Sequence, residues 1–402
     1  MTQAAQDATR ALPRRPPEPY WVWTAEALIF LLPLACWPNL ERPFTTPKIF
    51  VLSALALAAA ARFLARGSRP GGGWLWLAWP AALALSALLA PSASPEALLL
   101  AALPLPLCWA IREGYLPPES VRRPLLISSL IVSAVLLLQY FNADPLRLLG
   151  WRPEVSGAGR MRMYGTFGNP NFAAAWLSAT LPLYAGAAMR RKALPIAAAG
   201  VQIAAIAATG SRAPVLGIAA AAIIFAPAGR HFGKWALAAA PLAAALLWLS
   251  PARPLGDTIE GRLYYVRVAS PHLLTAPPVG YGPGMFADRF DKWQAEWLNN
   301  GGSDRFAGPL DHAHNDYVEF WVEYGAAGLI ALLGPLAWLA WKARRHGAGP
   351  AAIETSAWAG IAALWAVAVV DFPLHRPPEW TLYWLLLGIV ALNRRKQDVQ
   401  FS

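Results

Sequence analysis

Apolar runs separated by short polar breaks extend along almost the whole chain. A helix crosses a bilayer with about 20 largely apolar residues. That length picks out twelve stretches, near 21–38, 48–65, 74–90, 95–111, 123–141, 170–189, 193–209, 213–228, 235–250, 316–341, 355–371 and 379–393. Between them the basic residues fall on alternate sides. With the N-terminus in the cytoplasm, the cytoplasmic segments hold 20 of the 34 Lys and Arg residues, in clusters such as Arg190-Arg191-Lys192 and Arg394-Arg395-Lys396. The short connections on the other side hold four, Arg42, Lys48, Arg212 and Arg376. Positive charge concentrates in short cytoplasmic loops, so the pattern predicts twelve spans with both termini inside. The first apolar run contains Glu26 and precedes no small-residue cleavage site, so it reads as an uncleaved anchor rather than a signal peptide.

Two connections break the short-loop pattern, 142–169 and 251–315, and both lie on the outer side. Within the second, 285–300 (MFADRFDKWQAEWLNN) sets aromatic and charged residues at helical spacing. It predicts an amphipathic helix over the bundle or along the interface, with Trp293 and Trp297 at the headgroup level. The expected fold is therefore all-α, a single integral membrane domain over 1–402 with a large outer loop containing short helices.

Composition agrees. Only 14% of the residues are charged and 56% are apolar, too few charges to cover a soluble globule of this size. The formal net charge of +11 does not form an aromatic-interleaved basic stripe, so nucleic acid is not an expected partner. Cys36 and Cys108 both lie inside apolar runs and read as packing residues. No period of 20 to 50 residues recurs, which weakens a repeat-built transporter.

Three polar islands open helices at the outer face. In Arg160-Met-Arg162-Met-Tyr-Gly165-Thr-Phe-Gly-Asn169-Pro-Asn171, Asn169 is a natural cap and Pro170 suits a first helical position, so Asn169 and Asn171 have a structural explanation. Arg160 and Arg162 do not, unless they meet an anion. In Gly210-Ser211-Arg212-Ala-Pro214, Ser211 is a possible cap and Arg212 either snorkels to headgroups or binds an anion. In Asp311-His312-Ala-His314-Asn315-Asp316-Tyr-Val-Glu319, either Asn315 or an Asp316/Glu319 capping box starts the helix. Both choices put His314 just outside a helix N-terminus, whose positive end favours the neutral imidazole that a general base requires. A metal held by His312, His314 and a flanking Asp is the alternative. Asp316, Glu319 and Glu323 then share one helix face, with Arg residues of the large loop as expected partners. The cluster Gly280-Tyr281-Gly282-Pro-Gly284 lacks the strand, Lys and helix start of a phosphate loop and reads as a turn. Twelve of the fourteen outer basic residues are Arg, the residue that grips phosphate oxygens with a two-pronged fork. Beside one neutral His, they point to a lipid-borne phosphate or diphosphate leaving group and an activated acceptor.

On these residues the sequence resembles the O-antigen ligase superfamily of bacterial polytopic glycosyltransferases, which includes O-antigen polymerases and protein O-oligosaccharyltransferases. His314-Asn315 followed after nine residues by Gly325-Ala-Ala-Gly328 fits the family's His-[Asn/Ser/Gln]-x9-Gly-x-x-[Gly/Thr/Tyr] pattern. Arg162-Met-Tyr-Gly165-Thr-Phe-Gly-Asn-Pro-Asn171, Thr209-Gly-Ser-Arg212, Gly261-Arg262 and Gly280-Tyr-Gly-Pro-Gly-Met-Phe286 follow in family order. The resemblance implies transfer of a glycan from undecaprenyl diphosphate to a lipid A core sugar, at the periplasmic face of the bacterial inner membrane, with no cofactor and no essential metal. It implies His314 as the base and Arg162, Arg212, Arg262 and, less directly, Arg160 as diphosphate ligands, supported by His312, Asn315, Asp316, Asn169, Asn171 and Tyr281. The partners are then the lipid-linked donor, the lipid A core acceptor and membrane lipids. A polymerase or protein O-oligosaccharyltransferase of the same superfamily is the nearest alternative, and a flippase for lipid-linked glycan the non-enzymatic one. The paired Arg-x10-Gly signatures of some polymerases are absent from the outer loops.

Overall fold

The computed structural model of the protein describes residues 19–65, 74–152, 161–184, 193–225, 255–345 and 352–392. All regular structure among them is helical: α1 Pro19–Leu31, α2 Thr46–Ala65, α3 Ala78–Leu89, α4 Pro95–Ala102, α5 Leu105–Arg112, α6 Pro118–Tyr140, α7 Pro170–Thr180, α8 Ala193–Ala208, α9 Ala213–Phe225, α10 Leu255–Leu273, α11 Phe286–Asn299, α12 Asp316–Arg345, α13 Ala352–Val367 and α14 Pro377–Val390. Four segments are long and apolar enough to cross a membrane: Thr46–Ala65, Pro95–Arg112, Pro118–Tyr140 and Asp316–Ala343. The second is broken into α4 and α5, where Pro104 removes a backbone donor. Shorter apolar helices cover five further expected spans. The stretch 235–250 lies outside the described residues.

α14 is the axis of the bundle: every one of its residues is buried. It packs against α13 and α5 and touches α2 and α7, while α9 lies along α13 and α7. Small residues permit this closeness. A Cβ at Gly388 would stand 3.0 Å from the Cys108 carbonyl of α5, and one at Gly360 of α13 would stand 2.7 Å from the Ala179 carbonyl of α7. Large apolar side chains on the outer helices point away from the protein, with Leu57, Leu64, Leu88 and Ile330 all well exposed. In water that surface would be a liability, and against lipid it costs nothing.

The amphipathic segment forms α11 as expected, and it lies against α10 and α12. Trp293 is not an interface anchor, however. It is buried, with its ring stacked 4.7 Å from His272 and edge-on to Tyr281. Its apolar face meets Phe286 and Phe290 in a second core, formed by α10, α11 and the start of α12.

The glycine turn 280–284 is clamped across a break in α12. At Gly325 the helix adopts φ 64° and ψ −165°, a region essentially closed to other residues. The freed backbone groups are taken up by the turn: Tyr281 N–H donates to the Val322 carbonyl (2.7 Å), Gly282 N–H to the Glu323 carbonyl (3.0 Å), and Ala327 N–H to the Pro278 carbonyl (3.1 Å). A Cβ at Gly325 would meet the Pro278 oxygen at 2.2 Å. Gly325→Ala is expected to destabilise the protein by about 1–3 kcal/mol from backbone strain before the clash is added. Gly200 in α8 has nothing within 4 Å of its would-be Cβ, so Gly200→Ala should be neutral or stabilising by roughly 0.5–1 kcal/mol. Thermal unfolding of the two variants in detergent checks the contrast.

Candidate functional site

The polar islands converge because the helices they open start at one end of the bundle. Ala213 of α9 packs with Ala175 of α7 and with Val367 and Val370. Asp316 N–H at the start of α12 donates to the Ala368 carbonyl (2.9 Å), and Phe172 of α7 meets Phe372 edge-on at 5.3 Å.

The first island is a turn built around buried donors and acceptors. Gln139 of α6 accepts the Tyr164 and Gly165 N–H groups at 3.1 and 2.8 Å and donates to Asp144 at 3.0 Å. The Tyr164 hydroxyl donates to the same Asp144 carboxylate. Lys48 reaches in from α2 and donates to the carbonyls of Thr166 and Ala35, both at 2.6 Å. Lys48 is thus no loop charge; it is fully buried and ties the island to the α1–α2 connection. Asn169 caps α7 as expected, its side chain accepting from Asn171 N–H at 2.9 Å. Arg162 is exposed on this turn, and Arg160 lies outside the described residues. In the second island Ser211 does not cap α9. Its hydroxyl is buried without a hydrogen bond among the described residues, and Thr209 Oγ1 instead accepts the Ser211 N–H at 3.1 Å. Arg212 directly precedes α9 and is half-buried.

In the third island Asn315 is the cap, its Oδ1 accepting from Val318 N–H at 3.1 Å while its Nδ2 donates to the Val369 carbonyl at 3.0 Å. The capping-box alternative fails because Asp316 and Glu319 turn inward. His314 has φ 50°, uncommon for a residue with a Cβ, and this bend separates its ring from that of His312. His314 Nδ1 lies 3.7 Å from Asp371 Oδ1, with the ring 37% exposed and the carboxylate 3%. Tyr265 of α10 stacks on the ring at 6.0 Å and Phe372 meets it edge-on at 5.2 Å. Asp371 is held from its other side by Arg376 at 3.2 Å, and Arg376 also reaches Glu379 at 3.1 Å. The Arg376 guanidinium lies flat on Phe172, 4.1 Å from the ring centre. Arg262, on α10, is half-buried. Burial lowers its pKa, and the charge of Asp371 opposes that shift and favours the guanidinium. The imidazole, the carboxylate and Arg262 therefore form one electrostatic unit.

The carboxylates of α12 find partners other than those expected. Asp316, Glu319 and Glu323 are all buried, and they meet histidines rather than arginines of the large loop. His375 Nδ1 lies 2.5 Å from Asp316 Oδ1, and its Nε2 lies 3.7 Å from Glu319 and 3.5 Å from Glu323. His312 Nδ1 lies 2.7 Å from Glu319 Oε1, and Ala313 N–H donates to Glu319 Oε2 at 2.9 Å. Two of the large-loop arginines are engaged elsewhere, Arg305 with Glu260 at 2.7 Å and Arg289 over the Tyr281 ring at 4.6 Å. Burial works against a charge on His375, but Glu319, Asp316 and Glu323 outweigh it and hold its pKa well above the usual histidine range. A metal shared by His312 and His314 does not fit, since their rings face different carboxylates.

The residues that sequence reasoning missed are Asp371, Phe372, His375 and Arg376. They stand in the six-residue run Asp-Phe-Pro-Leu-His-Arg between two apolar stretches. Three ionisable groups there are a legible signal, although by its position Arg376 reads as one of the four basic residues of the short outer connections. Tyr281 lies beside the site through α12, which its backbone staples, rather than through contact with His314.

Among the described residues, helices as the sole regular structure, four of them of membrane length and apolar, with an imidazole, carboxylate and guanidinium unit at one end, are the make-up of an integral membrane protein with a site at its helix termini. Residues 197–333, running from α8 into α12, match a family model described as O-Antigen ligase. A curated O-antigen ligase of Pseudomonas aeruginosa is 25% identical over 293 residues, 66% of this chain and 64% of that protein. The chain thus spans 64% of the length of the curated relative it matches. Both findings support the O-antigen ligase superfamily, the family its motifs resemble.

Replacing Lys48 by Met removes the donor of the half-buried Ala35 carbonyl and leaves the Thr166 carbonyl buried without one, the latter at a cost of about 1–3 kcal/mol. The expected outcome is a lower melting temperature in detergent and faster trypsin cleavage at Arg162, with α11 still protected.

Proposed function

We propose that the protein is an O-antigen ligase, an inverting glycosyltransferase that moves a glycan from undecaprenyl diphosphate onto a sugar of the lipid A core. In this reading the chain crosses the bacterial inner membrane about twelve times with both termini in the cytoplasm. The segments 142–169 and 251–315 cover the periplasmic end, where the reaction takes place. The observation that carries it is His314: a partly exposed imidazole in a strained backbone conformation, backed by a buried carboxylate and flanked by a half-buried arginine. Strain of this kind concentrates at functional sites.

The chemistry follows from that geometry. Asp371 holds the Nδ1 side of His314, leaving Nε2 to accept the proton of an acceptor hydroxyl. The hydroxyl oxygen attacks the anomeric carbon from the face opposite the diphosphate. The carbon–oxygen bond to the diphosphate breaks as the new glycosidic bond forms, and the configuration inverts. Arg262, with Arg162, Arg212 and Arg160, binds the diphosphate and stabilises the charge it gains on leaving. Phe372, wedged between His312 and His314 at 4.1 and 5.2 Å, and the backbone held by Asn315 keep the imidazole in place.

The test mixes purified protein with undecaprenyl-diphosphate-linked glycan and rough lipopolysaccharide and sizes the products on a gel. His314→Ala is expected to lower the transfer rate by roughly a hundredfold or more. Asp371→Asn should lower kcat by on the order of tenfold or more with little change in KM, because it alters the orientation and tautomer of the base and not donor binding. Undiminished transfer by His314→Ala overturns the assigned base. Products formed from the lipid-linked glycan alone would mark a polymerase.

A further inference from the structure

The carboxylates beneath His314 have more structure than pairing with histidines requires. Three side-chain atoms converge from two elements: Glu319 Oε1 and Glu323 Oε2 from successive turns of α12, and His375 Nε2 from the turn before α14. Glu319 Oε1 and Glu323 Oε2 lie 3.7 and 3.5 Å from His375 Nε2, and the ligand atoms of these residues all fall within 4.8 Å of one another. Zinc-like ions bind nitrogen and carboxylate oxygen at about 2.0–2.2 Å, which sets tetrahedral ligand atoms roughly 3.3–3.6 Å apart. The Glu323 distance falls in that range and the Glu319 distance just above it, and both are longer than a good hydrogen bond. His375 Nε2 is buried and makes no hydrogen bond among the described residues.

The surroundings are those of a pre-arranged ligand set. Metal-bound histidines as a rule donate their other ring N–H to a carboxylate or carbonyl. His375 Nδ1 does so to Asp316 at 2.5 Å, and Asp316 is fixed in turn by Leu374 N–H at 2.9 Å. The second oxygen of Glu319 is fixed by Ala313 N–H. Charge points the same way. Asp316, Glu319 and Glu323 place three carboxyl groups in one buried cluster. The basic side chains that meet them are His375 and His312, whereas Arg376 pairs with Asp371 and Glu379.

We propose that Glu319, Glu323 and His375 form a binding site for a divalent transition-metal ion of the zinc type, which braces the turn carrying Asp371 against the start of α12. The site is distinct from the reacting groups and does not depend on the functional reading above.

The experiment measures metal content and melting temperature of the full chain in detergent after chelation and reloading with Zn2+, Mn2+ or Mg2+. The expected result is about one tightly held Zn2+ per chain, a melting temperature that rises with Zn2+ and not with Mg2+, and loss of both in Glu323→Gln and His375→Gln. His272→Gln, at a histidine outside the cluster, should retain the ion. Wild-type protein that holds no metal after reloading and shows no thermal shift overturns the site, as does a full equivalent retained by both Glu323→Gln and His375→Gln. Metal content is read without any glycan, so its failure is separate from failure of the transfer assay.

Discussion

One end of this helical bundle is organised by the need to satisfy ionisable groups that are shielded from water. Lys48, Asp316, Glu319, Glu323, Asp371, Arg376 and Glu379 are all buried there. A charge in such a place is tolerable only with partners at bonding distance, and the partners come from elements far apart in sequence. Meeting that need brings α2, α7, α12 and the turn before α14 to one point, and it fixes the backbone around the exposed imidazole. The paired carboxylates help hold the turn 371–376 against α12, and with it the carboxylate beside His314.

The glycines around this end serve the same arrangement. The break at Gly325 is tolerated because the 280–284 turn supplies the hydrogen bonds that the helix gives up. The large outer segment is thereby attached to α12 through backbone contacts, not only through side chains. α10 then presents Arg262 and Tyr265 to the site while its apolar face is buried with α11 in a core of its own. The glycines in the family-like motifs thus have a mechanical explanation independent of the chemistry.

Much of this was legible in the amino-acid sequence, for reasons that are local. Apolar runs, the amphipathic pattern of 285–300, the Asn169 and Asn315 caps and the glycine turn all express preferences of a residue and its near neighbours, and each appears in the structure. His314 was legible because its place before a helix N-terminus is also a local property. Ser211 does not cap α9; its hydroxyl is buried without a hydrogen bond among the described residues, while its N–H is taken by Thr209. The partners of Asp316, Glu319 and Glu323 differ from expectation because charge alone favours arginine, and nothing local shows that Arg305 and Arg289 are already engaged by Glu260 and Tyr281.

By itself, then, the sequence determined that the chain is helical and apolar enough for lipid, which ends of the helices are polar, and that a histidine and several arginines stand at those ends. Hydrophobic period, capping chemistry and motif spacing carry that information within a few residues. Only the tertiary structure decided that Asp371 backs His314, that His375 rather than an arginine meets the α12 carboxylates, and that Lys48 is an internal strut. These pairings join residues 57, 59 and 118 positions apart (His314 with Asp371, Asp316 with His375, Lys48 with Thr166), and it is the packing of whole helices around α14 that brings them together.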